Sequence, residues 1–299
     1  MIYLESFTLP SKDIEDKYLL NYPYLQEMQC FSHTNIYPFR VLSSKELFHV
    51  EFDNITFFCG SNGSGKSTLL NLIAEKLNLK RSSDFNKTPY TDEFLKFCGY
   101  KLPSYKRYGI PKGSQIITSD DVFDYLLDIR AYNRGISNKR NDLFREYDTF
   151  KDEAAAGQGL RPLTDMENYS EFKRRMTLSR NTKSSFTAKH LSSHELQFGS
   201  NGENAFRYFT ENITSDALYL LDEPENSLSP EFQLDLLKFI EDSARFYNCQ
   251  FIISTHSPFL LSMKNALIYD LDSIPVSRAR WSELDNVNTY YNFFKERME

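Results

Sequence analysis

The sequence predicts an α/β protein: a mixed, mostly parallel sheet flanked by helices, with a largely helical lobe inserted into it. Three observations lead there. The stretch Gly60-Ser61-Asn62-Gly63-Ser64-Gly65-Lys66-Ser67-Thr68 satisfies the phosphate-binding-loop pattern in full. Two further apolar runs near the C-terminus end in polar or charged residues, with a helical stretch between them. Between residues 104 and 190 the composition turns polar and basic, interrupting this alternation.

Up to residue 58 the chain reads as short strands and turns, among them the run 47–52. Residues 55–59 (ITFFC) are β-branched, aromatic and small, the pattern of a buried strand. Leu69, Leu70, Ile73 and Leu77 recur at helical spacing over 67–79. The loop therefore joins a strand to a helix N-terminus, the context that the motif requires. Gly60, Gly63 and Gly65 admit backbone angles closed to other residues, so the N–H groups of 60–68 can wrap a phosphate at the positive end of the helix dipole. Lys66 would reach the β- and γ-phosphates of a nucleoside triphosphate, and the Ser67 hydroxyl would hold Mg²⁺.

Within the insertion a helix is expected to open at Ser119-Asp120-Asp121, side chains suited to an N-cap and first turn, ahead of Val122, Phe123, Leu126, Leu127 and Ile129. A second, polar helix is expected over 141–156. No internal repeat or sustained heptad shows, which excludes a long coiled coil. The expected organisation is 1–103 as the first part of a nucleotide-binding head, 104–190 as the inserted lobe, and 191–299 as the rest of the head. Over 126–190 Lys and Arg outnumber Asp and Glu, although the whole chain carries −6. Arg134, Lys139, Arg140, Lys173, Arg174 and Arg175 are either contacts for a nucleic acid or part of a solvated face of mixed sign. In the C-terminal third, strands over 217–221 and 250–254 flank a helix over 230–246, and such alternation around a phosphate loop predicts a parallel sheet.

At 299 residues, 40% hydrophobic and 25% charged, the chain has a globular composition with material for a large core. Its net negative charge argues against a generally basic surface for nucleic acid. No apolar run approaches the roughly 20 residues that span a bilayer, and the N-terminus is too acidic for a signal peptide, so a cytoplasmic protein without membrane partners is expected. Cys30, Cys59, Cys98 and Cys249 form no CxxC or Cys/His spacing. Cys59 and Cys249 border apolar runs and read as small core residues in a reducing compartment.

The run Leu218-Tyr219-Leu220-Leu221 ends in Asp222-Glu223, the pattern called Walker B. An aspartate at the carboxyl end of a parallel strand beside the phosphate loop can hold Mg²⁺ through its water shell. Glu223 then stands where it can polarise an attacking water as general base. Further on, Phe251-Ile252-Ile253-Ser254-Thr255-His256-Ser257-Pro258 is a second strand ending in a histidine, whose imidazole would reach the γ-phosphate.

GSNGSGKST, a strand ending DEPEN, and STHSP at this spacing resemble the ATP-binding-cassette ATPases, in particular the soluble branch of SMC, RecF and OLD-type proteins. The stretch 37–79 is further similar to small bacterial ATPases near the OLD and Septu-type defence proteins. The likeness covers 37–79 and 195–269 well, the middle poorly. It implies a signature loop that caps nucleotide bound to a second subunit. Phe198-Gly199-Ser200-Asn201-Gly202-Glu203 matches, with Ser200 and Gly202 in the phosphate-contacting places and Asn201 and Glu203 departing from LSGGQ. The segment 225–229 would be the D-loop. Gln115 stands in a fitting place for the Q-loop, with Thr118-Ser119-Asp120 as the alternative; Tyr37 and Phe39 are candidates to stack on adenine.

The resemblance implies ATP and Mg²⁺ as ligands, and a head-to-tail homodimer, or a higher oligomer, sharing two ATP sites. One chain then carries half of each site. Two functions compete: an ATP-gated switch for a separate effector (nuclease, toxin or nucleic acid) in antiphage defence or DNA maintenance, and the ATPase subunit of a membrane transporter. The divergent signature and the polar insertion favour the switch. About 40 residues follow His256, too few for the nuclease module that OLD-type proteins append.

Overall fold

The computed structural model describes residues 1–21, 36–85, 87–104, 109–158, 169–191 and 199–298. Cys30 and Phe198, both singled out above, lie outside the described residues. The chain divides into two compact units, 1–123 with 200–299, and 124–199.

In the first unit, β3 (Ile55–Cys59), β5 (Gln115–Thr118), β6 (Leu218–Asp222), β7 (Gln250–Ser254), β8 (Leu267–Asp270) and β9 (Ser277–Arg278) form one sheet in the order β5-β6-β7-β3-β8-β9. All neighbours are parallel except β8 and β9. A smaller antiparallel sheet places β1 (Ser6–Thr8) between β2 (His49–Glu51) and β4 (Gly99–Lys101). The helices are α1 (Lys12–Asn21), α2 (Lys66–Lys76), α3 (Pro89–Phe97), α7 (Asn201–Asn212), α8 (Pro230–Phe246), α9 (Pro258–Leu261) and α10 (Asp285–Met298). The strand and helix expected on either side of the loop form as β3 and α2, and α8 and β7 form with the bounds expected.

Every residue of β3 and β7 is buried, as a parallel strand covered on both faces requires. Alternation divides them. Phe58, Leu218, Leu220 and Ile252 join Leu69, Leu70 and Ile73 of α2 in one cluster. Tyr219 and Phe251 point the other way, stacked with ring centroids 5.6 Å apart. Gln250, wholly buried, ties the small sheet to the large one: its Oε1 accepts from Tyr3 N (2.7 Å) and Leu4 N (2.8 Å), and its Nε2 donates to Leu4 O (2.9 Å) and Asp53 O (3.0 Å). Cys59, Cys98 and Cys249 are buried and unpaired, and burial pushes the Cys59 thiol up to about 11 and Cys98 to about 12.

The second unit holds most of α4 (Ser119–Ala155), α5 (Tyr169–Arg180) and α6 (Lys183–His190), with Leu143, Phe150, Leu178 and Phe186 as its small core. Two expectations are corrected here. A single helix of 37 residues replaces the two expected over 119–156. Val122, Leu126, Ile129, Asn133, Ile136, Leu143 and Phe150 are all buried and recur at alternating steps of four and three up to Ile136 and at steps of seven beyond it. The polar Asn133 and the Arg140 between Ile136 and Leu143 hid that stripe from a hydrophobicity reading. Also, β5 is a strand of the large sheet, so the inserted segment starts after it and not at 104.

Candidate functional site

Parallel strands in open α/β folds place their ligands beyond the carboxyl ends of the strands, and β3, β6 and β7 carry the three motifs there. Residues 60–65 turn from β3 into α2. Gly63 (φ +81°) and Gly65 (φ +99°) hold left-handed angles. The backbone angle requires glycine at Gly65, and a Cβ there would also press on Leu42 Cδ2 at 3.0 Å. Ser61, Asn62 and Gly63 are exposed at the tip, while Ser64 and Lys66 are buried. The Ser64 hydroxyl is buried without a partner.

Lys66 turns back over the loop. Its Nζ donates to Gly60 O (3.0 Å) and Ser61 O (3.2 Å), meets His256 Nε2 at 2.6 Å and lies 3.8 Å from Glu223 Oε1. Burial lowers the Lys66 pKa, and Glu223 and Asp222 push it back up. His256 Nε2 is also 3.3 Å from Glu223 Oε1, so the imidazole nitrogen sits between an ammonium and a carboxylate.

Ser67 Oγ donates to Asp222 Oδ1 at 3.0 Å, and the Ser254 hydroxyl bonds the same oxygen. Burial raises the Asp222 pKa, opposed by those two hydroxyls. One carboxylate and one hydroxyl converging from two elements is a donor set that suits Mg²⁺, which takes one or two carboxylates and fills its octahedron with phosphate oxygens and water. When bound it would screen the negative charge of the phosphates.

Glu223 adopts φ +49° and ψ +55°, the left-handed region that a residue with a Cβ enters at a cost. Its N–H is held by Ser254 O (3.0 Å), and its Oε2 accepts from Asn226 Nδ2 (3.0 Å). The strained turn aims the carboxylate at Lys66 and His256.

Thr68 Oγ1 accepts from Tyr37 OH at 3.2 Å, which fastens the half-buried Tyr37 to the loop. Phe39 is instead 2% exposed and stacked on Tyr18 at 5.1 Å; it is a core residue and no platform for a base. Gln115 is likewise corrected. It begins β5, opposite Tyr219, while Thr118 is the residue level with Asp222. Three residues at about 3.3 Å each put Gln115 towards the far end of the strand, where its Nε2 donates to Asn212 O (2.9 Å).

Ser200 is the N-cap of α7: its Oγ accepts from Glu203 N (3.2 Å), and its own N–H donates to Glu203 Oε2 (2.5 Å). The expected signature residues thus form a capping box. A Cβ on Gly202 would meet the Phe232 ring at 2.8 Å, so this glycine lets α7 approach α8. Among the described residues no hydrogen bond joins Ser200 or Gly202 to 60–68, Asp222, Glu223 or His256.

In the second unit, Arg174 bonds Glu146, and Arg175 pairs with Glu153 (2.9 Å) and Glu171 (3.2 Å). These two of the six proposed nucleic-acid contacts are engaged within the unit, which supports the mixed-sign face at those positions.

Sequence reasoning missed Asp272. From the loop after β8 its carboxylate accepts from both the N–H (2.6 Å) and the O–H (2.8 Å) of Ser61. It also missed the roles of Glu225 and Asn286, which hold the main chain of His256. No local motif marks Asp272 or Asn286, because each works through a contact far along the chain.

The fold, the phosphate loop and the strand-end Asp222, Glu223 and His256 define an ATPase of the P-loop class, similar to the ATP-binding cassettes. A family model described as "AAA domain, putative AbiEii toxin, Type IV TA system" matches residues 74–262, more than half of the chain, and the chain belongs to that family. No curated protein matches it. Solved structures that resemble it include the Smc head domain bound to the C-terminal domain of ScpA from Pyrococcus furiosus (12% identity, 84% of this chain and 95% of that one, TM-score 0.34). A dimeric ATP-binding cassette in a post-hydrolysis state with ADP and Pi (13%, 78% and 88%, 0.35) and a putative metal-chelate type ABC transporter (17%, 80% and 76%, 0.34) are similar at the same level. At these scores the likenesses carry no argument about function. Among the described residues no helix is long and apolar enough to cross a membrane.

Proposed function

We propose that this ATPase is an ATP-gated switch. Two copies close head to tail on two Mg·ATP, and closure acts on a separate effector, a nuclease, a toxin or a nucleic acid, in the cytoplasm, in antiphage defence or DNA maintenance. Lys66 and the N–H groups of 60–68 hold the phosphates, and Ser67 and Asp222 hold Mg²⁺. Glu223 takes the proton of the attacking water, and His256 orients that water and the γ-phosphate. Ser200 and Gly202 complete the partner's site from the N-terminus of α7.

The observation that carries this reading is the convergence of Lys66, His256 and Glu223 within 3.8 Å, beside the Ser67–Asp222 pair at 3.0 Å. The family's description, which names a putative toxin and a toxin–antitoxin system, supports a role in such a system over transport.

The test is Glu223→Gln, which keeps the shape of the side chain and removes the base. ATP turnover should fall about 100-fold or more, and the variant should elute as a dimer with ATP and as a monomer without it. An unchanged turnover rate would overturn the assignment of Glu223, and an ATP-independent elution volume would overturn the gate. Proteins retained by the ATP-bound variant would identify the effector; a membrane permease among them would establish the transporter alternative.

A further inference from the structure

Both polar groups of the His256 peptide are gripped by side chains to which no motif gives that role. Its N–H donates to Glu225 Oε1 at 2.6 Å, and Ser257 N donates to the same oxygen at 3.2 Å. Its carbonyl accepts from Asn286 Nδ2, in the first turn of α10. Two more contacts fix the geometry. Trp281 Nε1 donates to Pro258 O at 2.8 Å, and Leu284 and Val287, 1% and 5% exposed, anchor the start of α10.

The two jaws come from different parts of the chain. Glu225 belongs to the turn after β6 that also aims Glu223, since Asn226 of the same turn holds the Glu223 carboxylate. Asn286 lies thirty residues past His256 in sequence. With both sides of its peptide tied, the imidazole stays 2.6 Å from Lys66 Nζ and 3.3 Å from Glu223 Oε1. Displacing a reacting group by about 1 Å can cost a hundredfold in rate.

We propose that Asn286 and Glu225 are positioning residues for His256, and that α10 is therefore part of the catalytic machinery. This inference rests on the reading of His256 as the residue that orients water and γ-phosphate. Glu225 serves as an acceptor for two peptide N–H groups, and Asn286 as a donor that fixes the facing carbonyl. Neither touches the nucleotide. Loss of either jaw should lower kcat and leave the KM for ATP, which the loop and Lys66 determine, nearly unchanged.

The experiment compares four full-length variants in steady-state ATPase assays, with thermal unfolding of each. Asn286→Asp keeps the shape, cannot donate through the new carboxylate oxygen, and repels the His256 carbonyl. We expect kcat to fall about tenfold, KM to stay within twofold, and the unfolding temperature to stay within a few degrees. Asn286→Gln retains the amide donor and should recover part of the loss. Glu225→Gln retains an acceptor oxygen and should be milder than Asn286→Asp. His256→Ala separates the two readings. If His256→Ala leaves kcat intact, the role of His256 fails and the inference goes with it. If His256→Ala lowers kcat and Asn286→Asp does not, or if Asn286→Asp shifts kcat only in step with lost folded protein, the positioning role is overturned and that of His256 stands.

Discussion

Asp222 is a carboxylate whose burial opposes folding and whose charge, in the proposed mechanism, serves catalysis, so Asp222→Asn should make the nucleotide-free protein more stable and nearly inactive. The amide oxygen can still accept from Ser67 and Ser254, the two hydroxyls that bond Asp222 Oδ1. What the substitution removes is the desolvated negative charge and its repulsion from Glu223, against a smaller lost attraction to Lys66. Relief of this kind at a functional site amounts to about 0.5–2 kcal/mol. At about 2–4 °C per kcal/mol for a unit of this size, the unfolding temperature in EDTA should rise by about 1–8 °C. Turnover should fall about 100-fold or more, because stabilisation by a metal contributes several kcal/mol and each factor of ten is about 1.4. The sign with pH follows from the raised pKa: the native state binds a proton more readily than the unfolded chain, so the penalty exists above the folded pKa. It disappears as pH falls through that value towards the carboxylate's usual 3.8. The stability gap between variant and parent should therefore narrow in acid. Scanning calorimetry in EDTA across pH, repeated with Mg·ATP, reads each of these. A lower unfolding temperature for the variant at neutral pH would refute the balance of charges drawn here, and retained turnover would refute the metal-holding role.

Three further outcomes are open to measurement. Asp272→Ala frees the N–H and O–H of Ser61; with the tip of the loop untied, the ATP affinity measured by calorimetry should change severalfold while unfolding shifts by less than about 1 kcal/mol, as at exposed sites. Gln250→Leu leaves four main-chain groups, three of them in buried hydrogen bonds, without their partner side chain and should cost about 3 kcal/mol or more in urea unfolding, with the ATPase of the folded fraction intact. Gly202→Ala places a Cβ at 2.8 Å from the Phe232 ring and should cost about 1 kcal/mol, the low end for overpacking because a ring can shift. An ATPase loss far larger than the destabilisation would show that Gly202 also contacts nucleotide.

The sequence showed plainly those parts of the site whose chemistry is local. A strand, a glycine-bearing turn and a helix N-terminus are contiguous, so 55–76 was readable as a unit. Asp222, Glu223 and His256 were readable because each ends an apolar run. Gln115 misled because a glutamine near the right distance says nothing of strand register, and the register places Thr118, three residues on, beside Asp222. The long helix α4 was missed because Asn133 and Arg140 fall on its buried stripe, so helical period and apolar period part company there. Asp272 and Asn286 escaped for a different reason. Their contacts span 211 and 30 residues of chain, and only the fold creates them.

The turn 223–226 gathers consequences that single residues do not reveal. Glu223 holds a left-handed backbone angle, and strain of this kind persists only where the surroundings overdetermine it. Ser254 O fixes its N–H, Pro224 is buried after it, Asn226 fixes its carboxylate, and Glu225 anchors the next strand's end at His256. Glu223 and His256, the base and the orienting histidine of the proposed mechanism, are thus set by one short segment of chain, with neighbouring side chains holding both. A change in that turn should disturb Glu223 and His256 together. The rate losses of Glu223→Gln and Glu225→Gln should then combine less than additively, as expected of residues that act as a unit.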